Sequence, residues 1–167
     1  MLLKIQKYLP LVSLVLGLLL LFSAFLTALS SNDEAIMTGI TAIFGGNIVD
    51  AGIFGSAKVN FSFLNFLAFF LPALVAIVIA VYGMVNQKPN MAKSVLGLIL
   101  VVAFVLSVIF ISSLPVNTTA TLSTFLGDGS MNYDGASLGI GSILGLVFSI
   151  FGAISTILYS ILQFAKE

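Results

Sequence analysis

Asp128, Ser130, Asn132 and Asp134 stand at alternate positions. They offer side-chain oxygens in the order of the first ligands of a calcium loop. The pattern then departs from that chemistry. Tyr133 takes the sixth position, where the sharp turn needs glycine, and Gly139 takes the twelfth, where a bidentate glutamate belongs. The stretch reads as a hydrophilic turn, and no metal site is expected. The remaining acids are Asp33, Glu34, Asp50 and Glu167, and all six cations are lysine. There is no His, Cys, Arg or Trp, which removes the commonest general base, thiolate nucleophiles and disulfides. No catalytic residue and no cofactor is expected.

Hydroxyls are the other polar chemistry. Ser142, Ser149, Thr156 and Ser160 fall in the last apolar run. Wound as a helix at about 100° per residue, Gly141, Gly145, Ser149, Gly152, Thr156 and Ser160 share one side. Ile143, Val147, Ile150, Phe151, Ile154, Leu158 and Ile161 take the other. A small face lets a second helix backbone approach, and a bulky apolar face suits lipid. Three uses follow: packing within one bundle, self-association, or a weakly selective polar lining to a pore. A second small stripe, Ala68, Pro72, Ala76 and Ala80, recurs every fourth residue. Pro72 deprives the Ala68 carbonyl of its helical donor, which predicts a bend.

The elements that must hold these residues are set by composition. The chain is 60% hydrophobic and 7% charged, with mean hydropathy +1.24. A soluble domain carries roughly a quarter charged residues, so a polytopic membrane protein is expected. Four apolar runs predict spans near 9–29, 61–85, 94–114 and 138–164, in a single transmembrane domain. The expected fold is all-α, an integral membrane four-helix (tetraspan) bundle. A signal peptide cleaved after the Ala28-Leu29-Ser30 region is the rival reading of the first run, which is longer than such segments usually are.

Two long loops, 30–60 and 115–137, and one short turn, 86–93, join the spans. Ser31 followed by Glu34 reads as a capping box opening a short surface helix, with Ile36, Ile40, Ile43 and Phe44 at helical spacing and Gly45-Gly46 as its stop. Lys58–Phe63 has the period of a strand, so a small extracellular hairpin is an open alternative to irregular loop. The second loop, rich in Thr, has extended character, and Gly127–Ser130 reads as a turn. Asn60-Phe61-Ser62 and Asn117-Thr118-Thr119 fit the glycosylation sequon.

Five lysines fall in the head, the short turn and the tail, and one in the long loops; five of the six acids fall in the long loops. The positive-inside rule then places both termini in the cytoplasm and both long loops outside a cell membrane. This layout resembles that of claudins and tetraspanins in topology alone. Their Trp-bearing motif, Cys pair and Cys-Cys-Gly motif are missing, so the resemblance transfers no site. The Lys-only usage, with abundant Ile and Phe, points to an AT-rich bacterial genome.

No predicted span contains a charged residue, which argues against coupled transport and intramembrane catalysis. The expected function is non-enzymatic: structural assembly or oligomerisation through helix packing and outer loops. The alternative is a pore-forming or accessory subunit of a channel or transporter; an enzyme using the outer acids comes third. Expected partners are the lipid bilayer and a second copy or another membrane protein, with no nucleic acid. Ile40, Phe44, Ile48, Phe54 and Phe125 are the expected outer contact residues.

Overall fold

The computed structural model describes residues 2–32, 34–50, 55–85, 91–124 and 127–164. In chain order these form α1 (Leu2–Ser23), β1 (Thr27–Ser31), β2 (Glu34–Thr38), α2 (Gly39–Phe44), β3 (Gly46–Asp50) and β4 (Ser56–Val59). Then follow α3 (Phe63–Val85), α4 (Met91–Ser112), α5 (Leu114–Asn117), β5 (Thr119–Thr124), β6 (Gly127–Asn132), β7 (Ser137–Leu138) and α6 (Ile140–Phe164). Among the described residues seven strands in two antiparallel sheets overturn the all-α expectation.

The four-span count is corrected as well. Among the described residues three helices are long and apolar enough to cross a membrane: Phe63–Gly83, Met91–Ser112 and Ile140–Leu162. They mark a membrane protein. In α1 the apolar part is the shorter stretch Tyr8–Ser23. At 1.5 Å per residue it reaches about 24 Å, against a hydrocarbon core of about 30 Å. The rest of the apolar run at 9–29 leaves the helix, turns at residues 24–26 and enters β1. This strand lies between β2 and β7, and Ala28 and Leu29 are wholly buried. A strand covered on both faces is as apolar as a helix interior, so hydropathy cannot separate the two.

The first loop departs from its predicted helix start for a local reason. Ser31 pairs with Glu34 across a tight hairpin, and Asn32 takes a left-handed φ of 49°. Asparagine tolerates that region better than most residues. The capping box is thus a hairpin turn. Thr38 caps the much shorter α2, accepting from the Thr41 amide. At its end Gly45, at φ 80°, lies against the Val59 carbonyl, where a Cβ would collide. Strand β4 overlaps the expected strand at 58–63 only at Lys58 and Val59, and Phe63 already opens α3; residues 127–130, expected as a turn, lie in β6 and pair with β5.

One sheet has the order β2-β1-β7 and the other β3-β4-β5-β6. Each contains strands from both long loops: β1 pairs with β7 and β4 with β5. The sheets therefore close over one end of the helices. Beneath them α6 packs between α1 and α4, and α3 touches both α1 and α4.

Pro72 sits inside α3, which continues through it as one helix. The Ala68 carbonyl, left without its helical donor, accepts from Ser107 Oγ of α4. A buried carbonyl with no donor costs about 1–3 kcal/mol. Ser107→Ala should therefore destabilise the helix packing, and Pro72→Ala should offset much of that loss by restoring an N–H. Unfolding midpoints of the two single variants and the double variant, compared as a cycle, check the coupling.

Candidate functional site

Three arrangements could carry function: the small face of α6, a buried amide at the junction of helices and sheets, and the outer face of the larger sheet.

On α6, Gly141, Gly145, Ser149, Gly152, Thr156 and Ser160 are all buried, while Ile143, Val147, Ile150, Phe151, Ile154, Leu158 and Ile161 are exposed. The small face is filled by the same chain. A Cβ at Gly141 would stand 2.6 Å from the Ser23 carbonyl of α1. At Gly145 it would meet Ser23, Leu20 and Ile111, and at Gly152 the Phe104 ring of α4. Gly97 of α4 in turn lies under Ser160. Three of the hydroxyls have partners within the chain. Ser149 donates to the Gly145 carbonyl at 2.8 Å and Thr156 to the Gly152 carbonyl at 2.7 Å. Ser142 reaches the Ala28 carbonyl of β1 at 2.8 Å. Ser13 of α1 lies 3.0 Å from Thr156 Oγ1. The Ser160 hydroxyl is buried without a partner. On α3, Ala68, Pro72 and Ala76 are buried and Ala80 is half-buried. Ala73 and Ala76 face Gly17 of α1.

Asn65 is the one amide in the apolar run 61–85, and it is wholly buried in the first turn of α3. Its Nδ2 donates to the Ala42 carbonyl of α2 at 2.9 Å and to Thr118 Oγ1, just before β5, at 3.0 Å. Thr118 passes its own proton to the Leu114 carbonyl. One side chain thus ties both loops to a helix long and apolar enough to cross a membrane. The signal was an isolated Asn among phenylalanines; its partners, distant in sequence, were not readable.

The register of the larger sheet sets its outer face. Ser56 pairs with Ser123, and Lys58 with Thr121. Ser123 pairs with Asp128, Thr121 with Ser130 and Thr119 with Asn132. Directly opposed residues share a face, so this face is polar throughout. Asn60 joins it by donating to Thr121 Oγ1 at 3.1 Å. The opposite face buries Val59 and Ala120. Asp128, Ser130 and Asn132 lie along one face of an extended strand, about 7 Å apart from one to the next. They cannot wrap a single ion. Asp134 instead accepts from Asn132 Nδ2 at 2.6 Å. Among the described residues no three acids gather as a metal site. Both sequon asparagines already use their amide nitrogens, Asn60 on Thr121 and Asn117 on Ser113.

Of the expected outer contacts, Ile40 is half-buried, and Phe44 and Ile48 are exposed. Phe54 and Phe125 lie outside the described residues. Tyr133, between β6 and β7, is buried with its hydroxyl unpartnered. Burial pushes its phenol above the ordinary value of 10.0. The unfolded chain therefore ionises first, and stability should fall as pH rises past that ordinary value. Tyr133→Phe should remove this contribution to the alkaline loss and be neutral or stabilising below it, as read from unfolding midpoints across pH.

No protein-family model, curated protein or solved structure matches the chain.

Proposed function

We propose that the chain is a non-enzymatic, multi-pass membrane protein that acts by assembly, with its sheets as the contact platform. The observation that carries this reading is the edge strand β6. Every residue of β6 is exposed, and among the described residues it pairs on one side only. An open edge offers a row of N–H and C=O groups that another strand can complete. A second copy of the chain is the proposed partner, and another membrane protein is the alternative. The small face of α6 is not free for this, because α1 and α4 of the same chain occupy it. The lysine distribution supports an orientation with the sheets outside the cell membrane and the opposite helix ends in the cytoplasm.

The absence of native cysteine gives a clean test. Ser130→Cys on β6 should cross-link to a second copy in native membranes, while Ile150→Cys on the exposed face of α6 stays monomeric. A Ser130→Cys protein that captures neither a copy nor a neighbour would overturn the reading. Liposomes containing the purified protein should hold their solutes; leakage of ions would favour a pore instead.

A further inference from the structure

Helix α2 has six uncharged residues, GITAIF, and it does not stand out among the sheets. Phe44 at its end packs on Phe66 and Phe70 of α3, with ring centroids at 6.1 and 5.8 Å. Phe66 and Phe70 lie on the first two turns of α3, a membrane-crossing helix. At its start α2 touches the turn that follows α1: the Ile40 amide donates to the Ala24 carbonyl at 2.8 Å, and the Gly39 amide to the Leu26 carbonyl at 3.1 Å. So α2 lies beside the first turns of α3, level with the helix ends.

Its backbone is unusually self-sufficient. A helix this short normally leaves its first amides and last carbonyls to water. Here the amides of Gly39, Ile40 and Thr41 reach the Leu26 carbonyl, the Ala24 carbonyl and Thr38 Oγ1. The carbonyls of Thr41, Ala42 and Ile43 accept from the Gly45 amide, Asn65 Nδ2 and the Ser62 amide, each at 2.9 Å. Backbone at membrane depth must be satisfied inside the protein, because no water is there to do it. The side chains point the same way. Phe44 is 50% exposed, Phe61 57% and Phe63 60%, and Phe22 in the last turn of α1 and Phe25 just beyond it are 64% and 63%. Phe44 and Phe61, which contact Phe66 of α3, adjoin the side of α3 on which Leu74 and Val78 are also exposed.

We infer that α2 and the phenylalanines around it form a lipid-embedded wedge. On this assignment α2 lies just below the headgroups of one leaflet, and Phe44 contacts acyl chains near the glycerol esters. Asn65 then has a definite purpose: it supplies the donor that water would supply to the Ala42 carbonyl if α2 lay outside the bilayer. The wedge rests on the reading of the chain as a membrane protein.

The chain has no Trp, so single tryptophans report without background. Phe44→Trp, Phe63→Trp and Leu74→Trp, the last near the middle of α3, are placed in vesicles of phosphatidylcholine brominated either close to the glycerol esters or in mid-chain. The two wedge variants should give blue-shifted emission, lose intensity most to the shallow bromines, and resist aqueous iodide. Leu74→Trp should lose most to the mid-chain bromines. Quenching of both wedge variants by iodide and not by bromolipid, with Leu74→Trp still bromine-sensitive, overturns the wedge and leaves the membrane reading standing. Shielding of both wedge variants from both quenchers also overturns it, and assigns the patch to a protein partner. Insensitivity of all three to bromolipid removes the membrane reading and the wedge together.

Discussion

Replacing Gly152 by leucine should cost the folded chain about 3 kcal/mol or more, at the upper end of what overpacking a closed core costs. Already the first carbon of a side chain there falls on the Phe104 ring, and that ring is itself wholly buried. Gly141→Leu should be comparably damaging. Its obstacles are the Ser23 carbonyl at 2.6 Å and the Thr27 carbonyl at 3.0 Å, and backbone cannot swing aside as a side chain can. Alanine separates the positions further. At Gly145 the nearest atoms are side-chain ends at 3.1 to 3.3 Å, which can yield slightly. Gly145→Ala also gains roughly 1 kcal/mol of helix propensity, so it should be near neutral, while Gly141→Ala and Gly152→Ala remain harmful. Ile150→Leu, on the exposed face, should change little. Denaturant titration in detergent measures all of these. Equal tolerance across the series would mean that α6 does not pack by this face.

Asn65→Leu should be the second severe substitution. It keeps the volume close but removes both donated hydrogen bonds. The Ala42 carbonyl is left buried without its donor, and the Thr118 hydroxyl loses its anchor. At about 1–3 kcal/mol for a buried unsatisfied group, the expected loss is about 2–4 kcal/mol. Its signature is more specific than its size. Amide exchange should rise together in α2 and at the start of β5, two segments in different loops, while the middle of α4 stays protected. A rise in only one loop would show that the amide does not join them. Asn65→Asp should be worse, since it removes both donors and brings a charge where none can be solvated.

The long apolar helices were legible because length and hydropathy are local properties. So was the grouping of Gly141, Gly145, Ser149, Gly152, Thr156 and Ser160 on one side, which is helix arithmetic. What they meet was not legible, since contact with Ser23 or Phe104 depends on how distant segments dock. The strands failed to show for two different reasons. In β1 the residues Thr27–Leu29 continue an apolar run, and burial on both faces erases the alternation that marks a strand. In β6 the sequence Gly-Asp-Gly-Ser has little intrinsic strand preference, and pairing with β5 imposes the conformation. The Ser31–Glu34 capping box misled because asparagine, here Asn32, serves hairpin turns as readily as helix starts. Asn65 was visible as an anomaly, but its role lay in atoms more than twenty residues before it and more than fifty after it.

The mixed ancestry of the two sheets also sets an order of events during synthesis. Hairpins β1–β2 and β3–β4 can close as soon as the first loop has emerged, because their partners are neighbours in the chain. The second edges of β1 and β4 must wait: Leu29 meets Leu138 and Val59 meets Ala120, and those partners are made only after α3 and α4. For that interval the nascent protein carries two open strand edges beside the membrane. Pairing across such separations is slow, and open edges invite wrong partners in the meantime. A ribosome-bound intermediate halted before β5 should therefore be the species most prone to aggregate, and the arrival of the second loop is what makes the fold hard to undo.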